Sequence, residues 1–190
     1  MNYFYQKNDS NELVVLFHGT GGNEYQLVGL AGELLPGRDI LSFEGDSGDA
    51  MSRRFFPPLV NGEMDRNAYN DAVRRVTEVI NGLNLVYDKI TFLGYSNGAN
   101  FIIGFLENGF EMDTAVLMHP SDLKYDVTGA KRDTKVIITT GATDFMVTPE
   151  QSKSLENQFK SAFDDVDFMV FNGGHEVTQE ELVQLKEKLM

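Results

Sequence analysis

The stretch ITFLGYSNGAN, Ile90 to Asn100, decides the architecture. Lys89 to Leu93 is short and apolar, as a buried strand is, and Asn97 to Glu107 continues at helical spacing. Between them Gly94-Tyr95-Ser96-Asn97-Gly98 fits G-x-S-x-G at a strand-to-helix junction, where that motif forms a nucleophile elbow. The chain reverses so sharply there that the serine is held in a strained conformation. Cβ atoms at Gly94 and Gly98 would collide with neighbouring backbone, which accounts for the glycines. The hydroxyl is thereby presented above the sheet edge at a helix N-terminus, where developing negative charge is favoured. A near-match, Gly45-Asp46-Ser47-Gly48, lacks the last glycine and the strand-helix frame and reads as loop.

Upstream, Leu13 to Phe17 reads as a buried strand closed by His18-Gly19. A helix is expected from Asn23, with Leu27, Leu30, Ala31 and Leu34 on one face and Pro36-Gly37 as its stop. Asp39 to Phe43 is the next strand, and residues 44–66 are irregular and rich in Gly, Pro and Arg. A helix from about Asn67 to Ile80 presents Ala72, Val73, Val76 and Ile80 on one face, with Gly82 as its stop. Downstream, strands are expected at Thr114 to Met118, Lys135 to Thr140 and Asp167 to Phe171. Thr148-Pro149-Glu150-Gln151 is a capping box with proline at the first helical position, and Thr178 to Glu181 opens the final helix by the same chemistry. Strands that are apolar throughout and alternate with helices indicate a parallel sheet covered on both faces. The expectation is a three-layer α/β architecture in a single domain, residues 1–190. Such sheets hold their ligands outside the carboxyl ends of the strands, and every polar residue nominated below follows a strand.

The 190 residues, 42% hydrophobic and 24% charged, suit a compact domain with a real core. A net charge of −13 argues against nucleic acid, which needs a clustered basic surface, and disfavours anionic membranes. With no cysteine, disulfides, thiolate metal sites and a cysteine nucleophile are excluded. MNYFYQKNDS lacks the apolar run of a signal peptide and no stretch approaches a membrane span, so cytoplasmic residence is expected.

A serine hydroxyl needs a neighbouring imidazole to take its proton, and three histidines are available. His18 ends the first strand and reads as structural, and His119, before Pro120, reads as a packed strand-end residue. His175, in Asn172-Gly173-Gly174-His175, follows the last strand. Only it leaves room for an acid between serine and histidine in the chain order this elbow uses. Asp144, after Gly141-Ala142-Thr143, is the favoured acid, with Asp122 as competitor after the preceding strand. The turn His18-Gly19-Thr20-Gly21-Gly22 lets backbone approach a substrate carbonyl closely. The N–H groups of Thr20 and Asn97 are the expected oxyanion donors, one such donor being worth about 3 to 4 kcal/mol in the transition state. A phosphate-cradling loop would need a following Gly-Lys-Ser/Thr, which is absent.

HGTGG near the start, GYSNGAN in the middle, and GATD then GGH near the end resemble the small carboxylesterase/phospholipase family of α/β-hydrolases. The resemblance runs from Leu13 to Met190 with the motifs in the expected order. It implies a minimal α/β-hydrolase fold without a large lid domain and lacking the first two strands of larger relatives. It further implies esterase or thioesterase activity with no metal or cofactor, and often a homodimer. By motif position the family's triad falls on Ser96, Asp144 and His175, and its oxyanion donors on Thr20 and Asn97. Relatives often carry Arg-Gly after the second strand of this core, where this chain has Glu44-Gly45.

Residues 44–66 connect a strand to a helix on the ligand-bearing side of such a sheet. Met51, Phe55 and Phe56, with Met146 and Val147, are expected to line an apolar acyl or aryl pocket, the alternative being a loop whose aromatics only anchor it to the core. The first functional expectation is a hydrolase of small-molecule carboxylic esters acting through an acyl-enzyme. Thioester or lactone hydrolysis by the same triad is the second, and a non-catalytic binding protein on this fold the third.

Overall fold

A computed structural model describes residues 1–190. Seven strands and five α-helices follow one another along the chain: β1 (Tyr3–Gln6), β2 (Glu12–Phe17), α1 (Val28–Leu34), β3 (Asp39–Phe43), α2 (Arg66–Gly82), β4 (Lys89–Tyr95) and α3 (Asn97–Glu107). There follow β5 (Thr114–Met118), β6 (Lys135–Gly141), α4 (Pro149–Ala162), β7 (Asp165–Phe171) and α5 (Gln179–Leu189). The sheet order is β1-β3-β2-β4-β5-β6-β7, and only β1 runs antiparallel to its neighbour. This is the expected α/β-hydrolase arrangement, without a lid domain.

Alternation along each strand divides the core into two layers. Leu13, Val15, Phe17 and Phe92 face a large cluster with Val73 of α2, Phe101 and Phe105 of α3 and Leu155 of α4. Val14, Leu16 and Leu93 face a smaller one with Leu34 of α1 and Leu185 of α5. Burial on both faces is why these strands are apolar throughout, as parallel strands must be. The register sets Phe17 beside Gly94, Tyr95 beside Met118, Met118 beside Thr139 and Gly141 beside Phe171. The loops that follow therefore emerge along one edge of the sheet.

Two features depart from the expected elements. The helix expected from Asn23 begins at Val28, because local side-chain bonds hold the preceding residues in turns. Asn23 Oδ1 accepts from the Tyr25 N–H (2.9 Å), and Gln26 Oε1 accepts from the Gly19 N–H (2.8 Å), competing with helical pairing. The edge strand β1 has no counterpart among the expected elements. Its Tyr-Phe-Tyr-Gln is neither alternating nor fully apolar, and it is held by pairing to β3 and by contact of Tyr3 with Phe43. No helix is long and apolar enough to cross a membrane.

Candidate active site

Strand β4 runs into α3 through Ser96, whose backbone sits at φ 51°, ψ −112°. For a non-glycine residue this is a strained geometry, costing on the order of 1 to 3 kcal/mol, which the surrounding structure must hold in place. It is held: the Ser96 N–H donates to the Met118 carbonyl (2.8 Å) and its carbonyl accepts from the Asn100 N–H (3.0 Å). A Cβ on Gly94 would lie 2.6 Å from the Gly98 carbonyl carbon, and one on Gly98 only 1.9 Å from the Phe17 oxygen. Both glycines of the motif are thus steric necessities of the elbow.

The structure brings Ser96, His175 and Asp144 together. Ser96 Oγ lies 2.8 Å from His175 Nε2, and His175 Nδ1 lies 2.7 Å from Asp144 Oδ2. Two loops are laced to each other to achieve this. The Thr143 N–H and hydroxyl both donate to the Gly173 carbonyl (3.0 and 2.9 Å), and the Ala142 N–H donates to Phe171 (2.8 Å). A Cβ on Gly141 would fall 1.9 Å from the Gly174 oxygen, so this close approach also requires glycine. Tyr95 donates its hydroxyl to the His175 carbonyl (2.7 Å), tying the histidine loop to the elbow strand. Asp144 is buried. Although burial pushes its carboxyl up, His175 and the N–H groups of Val147 and Met146 outweigh this and hold it below the usual carboxylate range. Asp122, the competing acid, accepts from the Lys124 N–H instead and lies beside Arg66 and Met64, away from His175.

The Thr20 N–H makes no hydrogen bond within the protein, while its neighbours are used: Gly21 donates to the Arg53 carbonyl (2.8 Å) and Gly22 to Gly19 (3.0 Å). Asn97 opens α3, so its N–H is one of the first-turn donors without an intrahelical acceptor. Thr20, Ser96, Asn97 and His175 line one cleft of about 220 Å³. His18 serves the turn rather than the chemistry. Its Nδ1 hydrogen bonds to the Gly19 carbonyl (2.7 Å), and its Nε2 accepts from the Gly45 N–H (2.9 Å). That pattern is a neutral imidazole, and burial lowers its pKa accordingly.

The expected apolar pocket needs correction. Phe56 and Met146 line the cleft, but Met51 is 86% exposed and lies outside it, and Phe55 and Val147 are fully buried. Phe55 stacks on Phe101 at 4.8 Å between ring centroids and packs against His18, because its N–H is anchored to Asn97 Oδ1 (2.9 Å). The aromatics of this loop fasten it to the core. Phe55→Ala is therefore expected to cost about 3 to 5 kcal/mol in urea unfolding, with acyl-chain preference unchanged. A larger cavity of about 420 Å³ opens at the opposite edge beside Leu13 and Ile90, remote from any nucleophile–base pair.

Three residues around the site have roles that no sequence signal marks. His119, which reads as a packed strand-end residue, is indeed buried, but it faces Asp144 and Glu181. Glu181 reads in the sequence only as a cap. It makes that cap and is also completely buried, its Oε1 accepting from the Thr139 hydroxyl (2.6 Å). Arg54 lines the cleft and donates to Thr20 Oγ1 (3.1 Å). His119, Asp144 and His175 offer ligand-type atoms within 4.8 Å of one another. Those atoms are spent on hydrogen bonds to each other and to Ser96 and Glu181, so they form a chain of partners rather than a cation cage.

Fold and cleft together are those of an esterase-type α/β-hydrolase. The chain belongs to the dienelactone hydrolase family, which it matches over residues 39–181. MhqD of Bacillus subtilis (strain 168) is 28% identical over 198 residues, covering 98% of this chain and 96% of that protein. The carboxylesterase of Bacillus cereus is 27% identical, with a TM-score of 0.87 over 100% of this chain and 93% of its own. Atu2452 of Agrobacterium tumefaciens str. C58 is 31% identical, with a TM-score of 0.87 over 98% of this chain and 94% of its own.

Proposed function

We propose that this ester hydrolase is a serine enzyme in which Ser96 is the nucleophile, His175 the base and Asp144 the orienting acid. The observation that carries the reading is the unbroken relay from Ser96 Oγ through His175 to Asp144 Oδ2, at 2.8 and 2.7 Å. Ser96 Oγ attacks the substrate carbonyl carbon while its proton passes to His175 Nε2. The N–H groups of Thr20 and Asn97 receive the oxyanion. Collapse expels the alcohol, which takes the proton from His175 and leaves an acyl-Ser96. Water then attacks that ester with His175 again as base, releasing the acid and restoring the hydroxyl. Asp144, an acceptor on both oxygens, holds Nδ1 protonated so that Nε2 is free to accept. The narrower affinity to small carboxylesterases and phospholipases rests on the sequence motifs and on the full-length likeness to the Bacillus cereus carboxylesterase.

A lactone is an internal ester and meets the same machinery, and the family's name favours including it. Labelling by a fluorophosphonate probe tests the nucleophile directly, and a panel of p-nitrophenyl esters, acyl thioesters and lactones ranks the bonds cleaved. Absence of labelling on the folded protein would sink the serine assignment.

Arg54 bears on substrate choice. The other six arginines each pair with a carboxylate, whereas Arg54 has none, and its buried Nε has no acceptor. In so acidic a chain, an unpaired guanidinium at the cleft favours substrates with an anionic group near the ester. Arg54→Met is expected to raise KM for a succinate half-ester about 10-fold, as loss of a charged hydrogen bond does. KM for the acetate of the same alcohol should stay nearly constant. Equal changes for both esters would remove the idea.

A further inference from the structure

Beside Asp144, on the same carboxylate oxygen that takes His175, lies a second histidine that the relay does not use. His119 follows β5 with a left-handed backbone (φ 54°), its N–H donating to the Thr139 carbonyl (3.0 Å), and its ring is 1% exposed. Nδ1 lies 3.4 Å from Asp144 Oδ2, the oxygen that also takes His175, and Nε2 lies 3.2 Å from Glu181 Oε2. A neutral imidazole has one N–H donor and one lone-pair acceptor, and a lone pair aimed at a carboxylate oxygen is repelled. Both carboxylates are already committed as acceptors. Asp144 takes the N–H groups of Met146 and Val147 on Oδ1, while Glu181 takes the Thr139 hydroxyl on Oε1 and the Thr178 N–H on Oε2. Each oxygen facing His119 therefore calls for a donor from the ring.

We infer that His119 is a standing imidazolium, paired with Glu181 and donating to Asp144, and that it is a positioning residue that sets the orientation of Asp144 and the basicity of His175. The inference rests on the serine-triad reading only for its second half. Charge arithmetic supports it: two buried carboxylates with one cationic and one neutral histidine leave a single negative charge in the resting site. When His175 accepts the Ser96 proton the carboxylate–histidine cluster becomes neutral, and the negative charge passes to the oxyanion facing the Thr20 and Asn97 N–H groups. Burial opposes protonation of His119, but its bonds and proximity to Glu181 and then Asp144 outweigh it, so its pKa is raised. The other titratable groups around the ring are Tyr95 on β4 and His175 and Glu176 in the β7–α5 loop. The His119 and His175 rings are 5.5 Å apart between centroids, close enough for like charge on one to suppress protonation of the other.

Imidazole ¹⁵N spectra of the intact protein test the protonation directly. At pH 7.5 a free histidine is about nine-tenths neutral, but both ring nitrogens of His119 are expected to remain protonated. A neutral, singly protonated ring there would overturn the inference. His119→Gln then tests the function: removing the cation favours protonated His175, so the acid limb of kcat/KM should move to higher pH. Coulomb's law across the 5.5 Å between rings gives about 0.5 to 2 pH units for effective dielectrics of about 80 to 20. A lower kcat with the limb unmoved would reduce His119 to a packing residue. Fluorophosphonate labelling of Ser96 in the same samples separates the two readings, because the ¹⁵N result stands whether or not the serine is reactive.

Discussion

Ser96→Ala is expected to lower turnover of a p-nitrophenyl ester about 10⁴- to 10⁶-fold with the fold intact, the loss seen when a nucleophile is removed from a working triad. The size follows from non-additivity. Once no acyl-enzyme can form, His175 and Asp144 have no serine proton to move, so the single loss equals the loss of the group. On this reading, what remains is binding in the cleft and the two proposed oxyanion donors at Thr20 and Asn97, which would still stabilise attack by water. The fold should survive because Ser96 is held by its backbone, through Met118 and Asn100, while its side chain bonds only to His175. Alanine must still occupy φ 51°, so a modest loss of stability is expected. Steady-state turnover, with urea unfolding on the same sample, checks both parts. Retention of most activity would refute the triad.

Gly98→Ala should have the largest structural effect. The added Cβ would sit 1.9 Å from the Phe17 oxygen, 2.4 Å from the Phe17 carbonyl carbon and 2.6 Å from the His18 oxygen. All three are backbone atoms of the inner strand β2 and of the turn that follows it, so no side chain can rotate away to relieve the contact. Either α3 lifts off the sheet, exposing Phe101 and Phe105, or β2 shifts against β4. A loss above about 4 kcal/mol, or failure to accumulate as folded protein, is expected. Gly32→Ala is the control. It lies in α1, where an added methyl would meet nothing within 4 Å, and should stabilise by roughly 0.5 to 1 kcal/mol. Similar urea midpoints for the two variants would mean that the elbow is looser than its geometry requires.

Much of the fold is legible along the chain because the signals are local. Apolar runs such as Leu13 to Phe17 and Thr114 to Met118 are strands because a doubly covered sheet leaves no polar face to alternate. The boxes at Thr148 and Thr178 mark helix starts because an N-cap needs only its own first turn. Apolar spacing misplaces the start of α1 because Gln26 spends its side chain on Gly19, a bond that spacing cannot reveal. Phe55 is misplaced in a pocket for a related reason. Hydrophobicity tells that a loop aromatic is buried, but whether it packs on core or on substrate depends on the Asn97 bond that pins its N–H.

The order of elements, the sheet edge that carries the polar loops and the candidate serine, acid and base could be read from residue types and spacing, because each rests on neighbours within a turn or a strand. The contact among those three could not. His175 meets Ser96 across 79 positions and Asp144 across 31, and those distances exist only once parallel register and two laced glycine turns have fixed the loops. Only tertiary structure decided what surrounds His119 as well. A histidine's charge is set by what faces both ring nitrogens, and here those are carboxylates from the loop after β6 and from α5.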